Sequence, residues 1–160
     1  CRRPVRVRLD VELWRRLALY LLLFGIAGMS TELLLLEHVE DRLQWTPLAL
    51  LGLGFLIGGS VALRPTRTLV TGLRVIMALY LPVAALGLFL HLKSNVEFEL
   101  EMRPSMAGLE LVMESLKGAM PALAPGTMAQ LGLLGLLVCF RHPALSAPGP
   151  ESQEPWTLES

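Results

Sequence analysis

The residues best suited to chemistry are Glu37, His38 and Asp41, which fall within one turn of each other if a helix runs through them. His91 ends a later apolar run expected to return to the same side. Imidazole and carboxylates at one depth are ligands for zinc, iron or manganese, and two histidines from different helices can ligate haem. A metal ion or haem at His38, His91, Glu37 and Asp41 is therefore one function the sequence raises, although no ExxH or HExxH spacing reinforces it. The second candidate is Glu32, an acid inside an apolar run, recurring with Gly25 and Gly28 at i, i+3, i+7. A carboxylate in hydrocarbon costs several kcal/mol unless paired, protonated or hydrated, so it is expected to face a helix bundle or water. Transport of an ion through Glu32 belongs to this same alternative. No phosphate loop, nucleophile elbow, catalytic Cys–His pair or kinase signature is present.

The elements that must position these residues are apolar runs at 17–36, 47–63, 68–92 and 123–140. About 20 residues cross the hydrocarbon of a bilayer, so the second run is marginal by length. The chain is 53% hydrophobic, and blocked runs of this kind imply lipid-facing helices rather than a soluble core. The expected fold is all-α and integral to the membrane: an up-down bundle of four transmembrane helices with a structured acidic outer loop. Its parts are a basic flank at 1–16, a membrane domain at 17–143 with the outer loop at 93–122, and a disordered tail at 144–160.

Charge sets the orientation. Arg2, Arg3, Arg6, Arg8, Arg15 and Arg16 precede the first run, Arg64 and Arg67 fill the turn between the second and third, and Arg141 follows the last. Four spans place these arginines on one side and Glu37, Glu40, Asp41, Glu97, Glu99, Glu101, Glu110 and Glu114 on the other. The positive-inside rule then predicts that both termini are cytoplasmic, in a plasma membrane of the bacterial inner type. Cys1 and Cys139 are too far apart to form a CxxC pair or a metal knuckle. The arginines beside Cys1 disfavour an outward-facing lipid-modified N-terminus. No basic patch interleaved with aromatics points to nucleic acid.

Two features predict protein partners. Gly54, Gly58 and Ala62 form a small-residue stripe suited to close helix packing, against sibling helices or another subunit. In the outer loop, residues 96–102 alternate strictly between apolar and acidic, with Glu97, Phe98, Glu99 and Glu101 at their centre. That period predicts an extended segment needing an edge to pair with, followed by a short amphipathic helix on the outer surface. Small-residue stripes, an unpaired loop and no reaction motif make the leading expectation a non-catalytic integral subunit or accessory factor of a membrane complex. Its partners would be the lipid bilayer and other integral membrane subunits.

Overall fold

The computed structural model describes residues 3–36, 45–118 and 125–146, and all of its regular structure is helical. Its elements are α1 (Arg3–Leu35), α2 (Trp45–Leu63), α3 (Arg67–Met102), α4 (Gly108–Lys117), α5 (Pro125–Cys139) and the single turn α6 (Pro143–Ser146). Three of these helices are long and apolar enough to cross a membrane, α1 from Asp10, α2 and α3; α5 is apolar but shorter.

Local chemistry explains where the helices start and stop. Pro65 disfavours helical backbone at Arg64, which ends α2. Thr66 then adopts an extended conformation and its hydroxyl accepts from the Leu69 N–H at 3.3 Å, capping α3. α3 runs through Pro82 and stops at Arg103, before Pro104.

α1 touches α2 and α5, and α3 touches the same two, so four helices meet in a closed ring. The core comes from residues three, four or seven apart: Leu19, Leu22 and Ile26 on α1, Val70, Leu73, Met77 and Tyr80 on α3, and Met128, Leu131 and Val138 on α5. Outward-facing positions are also apolar, including Phe24, Leu56 and Leu137. Apolar residues on every face of a helix suit lipid rather than water.

Small residues set the spacing. A side-chain carbon added at Gly132 would lie 2.8 Å from the Met77 carbonyl oxygen, so α5 rests directly on the α3 backbone. The Gly54, Gly58 stripe is turned inward, Gly54 against Tyr80 and Met77, and Gly58 against Leu23 at 3.0 Å. It packs sibling helices of the same chain, with Ala62 half-buried beyond it. The Tyr80 hydroxyl donates to the Leu50 carbonyl at 3.1 Å, fastening α3 to α2.

One expectation is overturned. Residues 96–102 are not extended: they continue α3 to Met102, and no strand occurs among the described residues. A helix already formed below adds further turns without a new nucleus. Two i,i+4 pairs also favour helix, Lys93–Glu97 at 3.5 Å and Glu99–Arg103 at 2.7 Å.

The α3–α5 contact predicts an asymmetry between glycines. Gly132→Val should destabilise the chain by about 1–3 kcal/mol through overpacking. Gly28→Ala should cost nothing, because no atom lies within 4 Å of its added carbon. Thermal melting of both variants in mild detergent checks this; equal melting temperatures would refute it.

Candidate functional site

The residues singled out in the sequence do not converge. Glu37, His38 and Asp41 lie outside the described residues. His91 is half-buried on α3. Among the described residues no group of three or more His, Cys, Asp or Glu could hold a metal ion. Glu32 is exposed near the end of α1, and its carboxylate makes no ion pair among the described residues. Arg74 is exposed on α3 and does not meet it.

Instead, chemistry gathers at the two ends of the helices. At one end, α3 is longer than a bilayer crossing needs. Its 36 residues span about 54 Å at 1.5 Å per residue, against roughly 30 Å of hydrocarbon. The surplus pairs with α4 in an antiparallel hairpin. Asn95, buried on α3, donates from Nδ2 to the Ser115 carbonyl at 2.9 Å. Gly118 leaves room for Asn95, since an added carbon would lie 2.6 Å from its Cγ. Arg103 links the helices at the hairpin tip, reaching Glu99 at 2.7 Å and Glu110 at 3.9 Å.

α4 is amphipathic, but its apolar stripe faces away from α3. Ser115 is buried and Leu111 half-buried toward the hairpin, whereas Leu109, Val112, Met113 and Leu116 are 76%, 50%, 46% and 43% exposed. These four recur at i, i+3, i+4, i+7, the pattern of one helix face. Glu97, Phe98 and Glu101 are exposed on the neighbouring turns of α3, while Glu99 is half-buried by Arg103. The residues first marked as a strand edge therefore form one side of a helical hairpin.

At the opposite end, the start of α1, the α2–α3 turn and the end of α5 come together. Arg15 Nη2 donates to the Phe140 and Arg141 carbonyls at 3.5 and 3.4 Å, and Nη1 to Glu12 at 2.9 Å. A cation here satisfies carbonyls left open at the C-terminus of α5. Beside it is a cavity of about 300 Å³ whose lining includes Glu12, Arg15, Arg16, Tyr20, Pro65 and His142. Each arginine cluster of the sequence thus has a representative at this end; the cavity itself was not legible, because its walls come from three separate stretches of chain.

His142 is buried, at 6% exposure, and its Nδ1 accepts from the Ala144 N–H at 3.2 Å, capping α6. That bond leaves the ring hydrogen on Nε2 and fixes the neutral tautomer. Burial, and secondarily the Arg15 charge, hold its pKa below the ordinary imidazole value. A depressed folded-state pKa contributes stability that is present above the unfolded value and is lost as pH falls through the folded one.

No family model, curated protein or solved structure matches this chain.

The His142 cap predicts that melting temperature falls when pH is lowered from about 7.5 to about 5. His142→Asn keeps an acceptor for Ala144 without titrating, so the fall should shrink. An identical pH dependence in wild type and variant would remove His142 as a cause.

Proposed function

We propose that this protein is a small, non-catalytic integral membrane subunit or accessory factor of a larger membrane complex. Its four apolar helices each cross the bilayer, with both termini in the cytoplasm of a bacterial-type inner membrane. The arginines at the α1 start, the α2–α3 turn and the α5 end support this orientation through the positive-inside rule. The described part of α5, 15 residues, covers about 22 Å, and local thinning of the bilayer accommodates a short span at modest cost.

The observation that carries the subunit reading is the α4 stripe. In the hairpin beyond the membrane, Leu109, Val112, Met113 and Leu116 face solvent when the chain is alone. Apolar surface of this kind, bordered by Glu110, Glu114 and Lys117, has the anatomy of an interface core with a polar rim. A groove on the extramembrane part of a neighbouring subunit fits it. Glu32 is a second point of contact: exposed in the apolar run of α1, its carboxylate is relieved by a hydrogen-bond donor on a partner's helix.

The expected outcome in native mass spectrometry, after mild detergent extraction from the source membrane, is a mass well above 17.6 kDa that resolves into other chains. The double substitution Leu109→Glu, Met113→Glu should weaken that assembly by on the order of 100-fold. Its helical circular dichroism should stay at the wild-type level. A wild-type chain that extracts alone, or a double variant that keeps its partners, would sink the proposal.

A further inference from the structure

The cavity at the arginine-rich end holds a surplus of hydrogen-bond donors and positive charge. The Glu12 carboxylate is engaged by Arg15. Arg16, exposed on the next position of α1, has no ion pair or hydrogen bond among the described residues, and Tyr20 lies one turn further on. His142 lines the same space, 6% exposed, and the α6 cap commits its hydrogen to Nε2. No acceptor for that N–H exists among the described residues. Nε2 is reachable from the cavity, so its N–H is available to an acceptor that enters there.

We propose that this cavity binds the phosphate of an anionic phospholipid, held by the Arg16 guanidinium, the Tyr20 hydroxyl and the His142 Nε2–H. A phosphate oxyanion supplies acceptors for all three donors and matches the excess positive charge of Arg15 and Arg16 over Glu12. The walls choose the lipid over a free ion. Leu19, Val61, Leu63 and Val138 line the cavity beside the charged groups, as an amphiphile with a charged head and an apolar stem requires. Its place at the end of the apolar helices is the headgroup depth of a bilayer. A zwitterionic headgroup would bring a second cation beside two arginines, which disfavours it. Bound there, the lipid bridges α1, α2 and the end of α5.

This inference rests on the membrane-spanning reading but not on the existence of partner subunits, so it is tested on the purified single chain. Delipidated full-length protein is supplied with phosphatidylglycerol, with phosphatidylcholine, or with inorganic phosphate alone. Retained mass and thermal shift are then measured. Wild type should retain phosphatidylglycerol as a discrete adduct and melt higher with it. Arg16→Gln, and separately His142→Asn, which preserves an acceptor for the α6 cap, should weaken retention about tenfold or more. Arg67→Gln removes the same charge outside the cavity and should change nothing; Tyr20→Phe, a minimal change at an exposed residue, should weaken binding without disturbing the fold. Equal retention of phosphatidylcholine, equal loss in Arg67→Gln, or protection by phosphate alone equal to that by the lipid would each overturn the proposal. Loss of the larger assembly with lipid retention intact would count against the subunit reading only.

Discussion

The approach of α5 to the backbone of α3 is the contact on which the rest of the structure depends. Lipid gives apolar helices no hydrophobic reason to associate, so the helices must gain from close van der Waals packing. Gly132 supplies it by leaving no side chain between α5 and the Met77 carbonyl, and Gly135 by making room for the Met77 side chain. With α5 seated, the ring α1–α2–α3–α5 closes. The last turn of α5 then reaches Arg15, and the cavity beside His142 acquires its walls.

The two ends of the ring use different physics. At the arginine end, open carbonyls meet a cation beside an imidazole of fixed tautomer, so the chemistry is that of charge and hydrogen bonding. At the other end α3 stands clear of the apolar region, and α4 folds back on it through the buried Asn95–Ser115 bond. That bond fixes which side of α4 is spent on the hairpin, so Leu109, Val112, Met113 and Leu116 are left outward. Between the ends the outward residues are apolar and carry few polar groups, among them Glu32 and Arg74.

Much of the secondary structure was legible in the chain. The runs at 17–36, 47–63 and 68–92 fall on the long apolar helices, which extend well beyond the first and third of them. Residues 96–102 misled because strict alternation is the local signal of a strand, and it carries no record of the helix that precedes it. The continuing helix and the Glu99–Arg103 pair decided for helix. The α4 stripe was visible as spacing, but spacing does not say which neighbour a face will meet. Asn95 drew no attention as a partner, since a lone polar residue near a span end carries no signal until its neighbour is known.

Composition and order alone determined that this chain is helical and suited to a membrane, because apolar length and charge placement are local properties readable residue by residue. They also determined the contrast between its arginine-rich and acid-rich connections. Only the tertiary structure decided that the Gly54 and Gly58 stripe is spent within the chain, that α4 turns its apolar face outward, and that Glu12, Arg15, Arg16 and His142 share a cavity. Those outcomes depend on which helices touch and at what rotation. That choice is made by side chains from about twenty to more than a hundred residues apart, whose meeting no local pattern records.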